Sequence, residues 1–226
     1  MKVLIVHAHP EPHSFSSALK DQAVAHFESQ GHEVAVSDLY AMAFDPVGSE
    51  RDFTRLKNAS NFKYQAEQVH AYHNDLYVST LKTEMEKVHS SDLIIFNFPL
   101  WWFGLPAILK GWVDRVFAMG FIYGAGKGIY EDGIYQDKRA FISMTTGGPQ
   151  PAFGDEGAEG EFEKILFPIQ FGMFHFVGMT VLPPFISFGP ARKSDSERSD
   201  DLQRYSNYLT NIDQHEPIYQ VINEDE

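Results

Sequence analysis

The sequence predicts an α/β fold in which a five-stranded parallel sheet carries helices on both faces. Three observations predict it. Short apolar runs rich in β-branched residues recur along the chain, segments of helical periodicity separate them, and the runs close into loops of Pro, Gly, Ser or His.

Residues 2–8 (KVLIVHA) read as a buried parallel strand ending at His9-Pro10-Glu11-Pro12. The helix that follows has Ser14 or Ser16 to cap its start, Ala18, Leu19, Ala23 and Phe27 as its apolar face, and Gly31 where a left-handed cap belongs. Residues 33–37 (EVAVS) alternate as a second strand, whereas residues 40–61 show no period and are expected to form an irregular excursion. A helical pattern over residues 65–89 breaks near His73-Asn74-Asp75. Residues 92–98 (DLIIFNF) form the third strand, closed by Pro99. Residues 106–117 read as a helix with Pro in its first turn, 139–145 (RAFISMT) as the fourth strand, and 161–177 as a helix interrupted at Pro168. Residues 179–183 supply the fifth strand, and 195–211 an amphipathic helix. One domain is expected across residues 1–226, with 212–226 an extended, partly mobile tail.

Bulk properties exclude several function classes. A formal charge of −13 repels phosphate backbones and anionic lipid, so neither nucleic acid nor a membrane surface is an expected partner. The absence of Cys removes disulfides, zinc thiolates and cysteine nucleophiles. The apolar stretch over residues 93–113 is interrupted by Asn97, Pro99, Gly104, Pro106 and Lys110 and cannot be a membrane span. The N-terminal apolar run is too short for a signal peptide, and a cytoplasmic protein is expected. His7, His9 and His13 do not read as a metal site, since alternate strand residues face opposite ways and no acidic partner has suitable spacing. No metal is expected. His175, on an apolar helix, reads as a core residue.

In a parallel sheet of this kind ligands sit past the carboxyl ends of the strands. Three strand-following loops gather there: residues 9–17, 99–104 and 145–148. Ser14, Ser16, Ser17 and the free amides of a helix start suit a pyrophosphate. Pro99-Leu100-Trp101-Trp102-Phe103-Gly104 places three aromatics where a planar ring could stack, and Thr145-Thr146-Gly147-Gly148 offers hydroxyls and close backbone approach. Taken singly, each loop has a plainer reading. The first is a helix cap with nothing bound, the second a hydrophobic cover for the core or an interface, and the third a Gly-Gly turn.

Together these segments resemble the NAD(P)H:quinone oxidoreductase family of flavodoxin-like, FAD-containing enzymes. The resemblance covers roughly the first 210 residues. It is carried by AHPEPHSFSSAL at 8–19, SDLYAMAFDP at 37–46, NFKYQAE at 61–67, FPLWWFGLPAILKGWVDRVF at 98–117, TTGG at 145–148 and FPIQFGMFHFVG at 167–178. It implies FAD as cofactor, NAD(P)H as co-substrate, a quinone as acceptor, and a homodimer sharing its active sites. By position it implies that His9, Ser14, Phe15, Ser16 and Ala18 hold the phosphates and ribityl chain. Pro99, Leu100, Trp101, Trp102 and Phe103 wall the isoalloxazine, Thr145, Thr146, Gly147 and Gly148 meet its pyrimidine edge, and Arg198 and Leu202 meet the adenine end. Trp102, Phe103, Tyr123 and Phe176 match the nicotinamide and quinone pocket, the last two from the partner subunit.

Several positions depart from that pattern. Phe153 and Glu159 stand where mammalian members have a Tyr and a His proposed to buffer charge on the reduced flavin. Phe153 can only line the pocket, and Glu159 is left as the titratable candidate beside Gly147 and Gly148. Lys63 replaces a Gln that reaches across the dimer toward FAD, and Phe171 replaces the first of a His pair that binds metal in one relative. Two other functions stay compatible with the sequence: an FMN-dependent azoreductase or nitroreductase of the same fold, and a regulatory flavoprotein subunit of a potassium-efflux system.

Overall fold

The computed structural model describes residues 1–154 and 156–221. Five strand positions run in the order β2-β1-β3-β4-β5, formed by β1 (Lys2–His7), β2 (Glu33–Asp38), β3 (Leu93–Pro99), β4 (Arg139–Thr146) and β5 (Thr180–Val181). Beyond β4 the last position is shared: β5 pairs with the start of β4, and β6 (Phe185–Phe188) pairs with its end. All these pairings are parallel. The expected strand at 179–183 is therefore shorter than anticipated and a further one follows it, because Pro183 and Pro184 have no N–H to donate to β4.

Alternation along the strands sends side chains to two cores. Val3, Ile5, Leu93, Ile95 and Phe141 pack with Leu19, Ala23 and Phe27 of α1 (Phe15–Ser29) and with Tyr205 and Leu209 of α6 (Asp195–Thr210). The opposite face carries Leu4, Val6, Ile94, Phe96, Phe98, Ala140, Ile142 and Met144. These pack with α2 (Tyr64–Asn74), α3 (Ser79–Ser90), α4 (Ala107–Val116) and α5 (Phe162–Ile169). Both faces are buried, as near-continuous apolar strands require.

Helix boundaries follow local chemistry. Ser14 caps α1 by accepting from the Ser17 amide, and Gly31, at φ +78°, follows the helix end. Asp75 takes the left-handed conformation that breaks the 65–89 pattern between α2 and α3. Pro168 does not interrupt its helix as expected. Helix α5 runs through it and then widens into a π-helical turn, Gln170–Phe174, which absorbs the irregularity before a 3-10 turn at His175–Val177.

The excursion over residues 40–61 is held by buried charge. Asp52 accepts from Arg115 at 2.7 Å and from the Tyr64 hydroxyl, and both carboxylate and guanidinium are withdrawn from solvent. Glu67 accepts from the amides of Lys57 and Asn58. Pro46 lies so close over Gly111 of α4 that a Cβ there would collide with its backbone. In the tail, Tyr219 pairs with Val181, so residues before 222 return to the sheet edge; the expected tail beyond residue 221 lies outside the described residues.

A polar seam crosses the ends of the central strands. His7 and Asn97 are neighbours in register, with His7 Nδ1 2.6 Å from Asn97 Oδ1. Asn97 Nδ2 donates to the Ser143 carbonyl, so its Oδ1 is the acceptor, the imidazole proton sits on Nδ1, and Nε2 faces the Ser17 hydroxyl at 3.3 Å. Burial pushes the His7 pKa below its ordinary 6.5, against the opposing pull of the Asn97 hydrogen bond and of Asp38, with Lys20 and His9 adding to the depression.

With its folded pKa below the unfolded value, His7 takes up a proton on unfolding. The stability it contributes is complete above about pH 6.5 and is lost as pH falls toward the folded pKa. Urea unfolding between pH 7.5 and about 5 should therefore show a shallower acid decline for His7→Leu than for the wild type. Identical pH slopes would show that His7 is not a source of the acid lability.

Candidate functional site

The parallel register brings the three loops to one edge. His7 lies beside Asn97, and Pro99 beside Thr145, so the chain leaves β1, β3 and β4 at neighbouring points. Thr145 ties them together. Its carbonyl accepts from the Leu100 amide at 2.8 Å, and its hydroxyl lies 2.9 Å from the Ser16 hydroxyl, a buried contact across 129 residues of sequence.

Between these loops runs a cleft of about 550 Å³. It is lined by the expected His9, Ser14, Phe15, Ser16, Ala18, Pro99, Leu100, Trp101, Thr145, Thr146, Gly147 and Arg198. His13, Pro190 and Ala191 also line it, and sequence reasoning did not find them. No local pattern marks the last two, which reach the cleft through the docking of Gly189 on Thr146. Phe15 and Ser16 are the first residues of α1, where amides have no acceptor within the helix. Together with the helix dipole they make that end of the cleft an anion site. The Glu11 amide donates to His9 Nδ1 at 3.0 Å, closer than the Glu11 carbonyl at 3.2 Å, which leaves His9 Nε2 to carry the ring proton. Arg198 is held by the carbonyls of Pro190 and Lys193 and by Asp195.

A second chamber of about 360 Å³ adjoins the cleft at Leu100, Thr146 and Gly147. Its walls are Trp102, Phe103, Gly148, Phe153, Glu159 and Arg192, the last also missed from sequence. Among the described residues nothing accepts from the amides of Gly147 and Gly148, while Thr146 Oγ1 closes the turn by donating to the Gly148 carbonyl at 2.7 Å. Glu159 leans on this turn: a Cβ on Gly148 would stand 3.0 Å from its Oε1. Phe153 is braced by Phe162 at 4.3 Å and Phe188 at 5.8 Å between ring centroids, and so forms a fixed apolar wall.

The aromatic loop is a strained turn. Trp101 and Gly104 exchange backbone hydrogen bonds, and the two residues between them, Trp102 (φ +50°) and Phe103 (φ +57°), are both left-handed. That pattern is a type I′ turn, whose central positions favour Gly and Asn. Two bulky aromatics there cost about 1 kcal/mol or more apiece. Trp102 is nonetheless 96% exposed.

Some expected residues lie outside the cleft. Tyr123 and Phe176, expected to serve the site of the partner subunit, face each other at 5.7 Å and line a separate hollow of about 350 Å³ with Lys110, Val113, Phe117 and Met173. Leu202 packs into the core beneath α6 instead of lining the cleft, and Lys63 precedes α2 on the exposed surface. His175 is sandwiched near Phe171 and Tyr219, stacked on the latter at 5.6 Å. No helix among the described residues is long and apolar enough to cross a membrane.

Comparison with known proteins agrees with this architecture. A family model described as flavodoxin-like fold matches residues 1–209. The chain is 45% identical over 218 residues to a ribosyldihydronicotinamide dehydrogenase (quinone) of Pongo abelii, covering 96% of this chain and 94% of that one. It is 44% identical over 219 residues to NAD(P)H dehydrogenase (quinone) 1 of Cavia porcellus, covering 96% and 79%. A crystal structure of a candidate quinone reductase from Klebsiella pneumoniae superposes with a TM-score of 0.92 at 37% identity, covering 96% and 87%. On these grounds the chain belongs to the flavodoxin-like family of NAD(P)H:quinone oxidoreductases.

Proposed function

We propose that the chain is an FAD-dependent NAD(P)H:quinone oxidoreductase that works by a two-electron ping-pong cycle as a homodimer. The observation that carries this reading is the gathering of an anion-binding helix start, an aromatic slot and a turn with free amides around two adjoining cavities that share Leu100, Thr146 and Gly147. The donor set fits FAD: Phe15 and Ser16 amides for phosphate, Leu100 and Trp101 for a flat ring, and a cleft that also reaches Pro190, Ala191 and Arg198, available to the adenylate that FMN lacks. Bound there, the isoalloxazine supplies the hydride relay, accepting from a dihydronicotinamide and donating to a quinone.

The protein's part is orientation and charge. The amides of Gly147 and Gly148 are fixed donors for negative charge at the pyrimidine edge, and they need no reorganisation because Thr146 already holds the turn. Phe153 transfers no proton. Glu159, half-buried against Gly148, is the group placed to hold one at Oε1. Trp102, Phe103 and Phe153 give the second chamber aromatic walls for a planar acceptor. The outward Trp102 and the separate Tyr123–Phe176 hollow support a dimer, in which each chain would finish the other's chamber.

Flavin-loaded protein should oxidise NADH or NADPH with menadione as acceptor and give parallel double-reciprocal lines. Protein that carries flavin and does not turn over would refute the reading. Trp102→Gly removes the ring and relieves its backbone cost. The unfolding free energy of the flavin-free chain should hold or rise by up to about 1 kcal/mol, while kcat/KM for menadione falls about tenfold or more. A loss of activity matched by a loss of stability would contradict a substrate-facing role for Trp102.

A further inference from the structure

The proposed reading names NAD(P)H as hydride donor but assigns no residue to its phosphates. The names of the relatives already divide between ribosyldihydronicotinamide, which has no phosphate, and NAD(P)H, which has at least two. The second chamber contains a feature that bears on the choice. Gly189, in the left-handed region at φ +55°, donates to the Thr146 carbonyl at 3.0 Å, and a Cβ there would press on the Gly148 carbonyl at 3.4 Å. The turn Pro190–Arg192 that follows is thus seated directly on the Thr146–Gly148 loop, with the Arg192 amide donating back to Gly189 at 2.9 Å.

This seat fixes where Arg192 emerges, at the wall of the chamber, where it is the one cation among the described lining residues. The neighbouring basic groups are committed: Lys193 pairs with Asp201, and Arg198 with Asp195. The Arg192 guanidinium has no ion pair or hydrogen bond among the described residues. A chain of net charge −13 repels a dinucleotide as a whole. An unpaired, always-charged fork beside the ring-binding turn is the group that offsets it, and its geometry matches phosphate oxygens.

We propose that Arg192 binds a phosphate of a dinucleotide hydride donor, so that the chain favours NADH or NADPH over the phosphate-free riboside. The inference rests on the quinone-reductase reading for its relevance to turnover, but the binding itself can be measured without turnover. Calorimetric titration of flavin-loaded wild type, Arg192→Gln and Arg192→Lys with NADP⁺, NAD⁺ and nicotinamide riboside separates the two. Expected is an affinity loss of about tenfold for dinucleotide relative to riboside in Arg192→Gln, with partial recovery in Arg192→Lys. The ratio of kcat/KM for NADPH or NADH to that for the reduced riboside should fall in parallel.

A loss confined to NADP⁺ assigns the contact to the 2′-phosphate, and an equal loss for NAD⁺ assigns it to the pyrophosphate. Either supports the inference. Dinucleotide-to-riboside ratios within about twofold of wild type in Arg192→Gln would overturn it, as would wild-type protein that binds riboside at least as tightly as NADP⁺. If no donor reduces quinone while NADP⁺ binding still depends on Arg192, the reductase reading fails and this one stands.

Discussion

Everything at the functional end of the molecule depends on the way Thr145 fastens three chain reversals to one another. A parallel sheet delivers the ends of β1, β3 and β4 to one edge, but it does not by itself set the loops at a fixed separation. The Thr145 carbonyl holds Leu100, its hydroxyl meets Ser16, and the next residue, Thr146, receives Gly189 from the far side. Three segments distant in sequence are positioned by two adjacent residues at the end of one buried strand. Because Thr145 and Thr146 are withdrawn from solvent, those hydrogen bonds are costly to leave unmade.

The scaffold behind that edge is conventional in its energetics. Two apolar layers cover the sheet, and burial of their side chains is the main stabilising term. The departures from local preference concentrate at the site. Trp102 and Phe103 occupy turn positions suited to Gly or Asn, large rings stand in solvent, and free amides sit at Gly147 and Gly148. Such choices weaken a fold slightly and are explicable where a ligand or a second chain supplies the missing contacts.

Much of this was legible in the chain. The apolar strands, the Ser14 cap and the Asp75 break rest on local chemistry, which a single segment expresses by itself. The three loops were recognisable because each follows a strand directly. What could not be read depended on contacts between distant segments. Phe185–Phe188 is too short and too close to two prolines to announce a strand until β4 is there to pair with it. Pro190, Ala191 and Arg192 enter the cavity only because Gly189 docks on Thr146, a contact with no local signature. Pro168 misled in the other direction, since a π-helical turn downstream accommodates the ring without ending the helix. Tyr123 and Phe176 were assigned by resemblance to the site of the partner subunit, and within one chain they line a hollow of their own.

The central property of this edge is its capacity to hold a dinucleotide flavin. Equilibrium dialysis of the flavin-free protein against excess FAD, in parallel with FMN, followed by visible absorption and identification of the flavin released by heat, measures it directly. Retention of one FAD per chain, with FMN held more weakly, is the predicted result. A protein that stays colourless in excess FAD would contradict it.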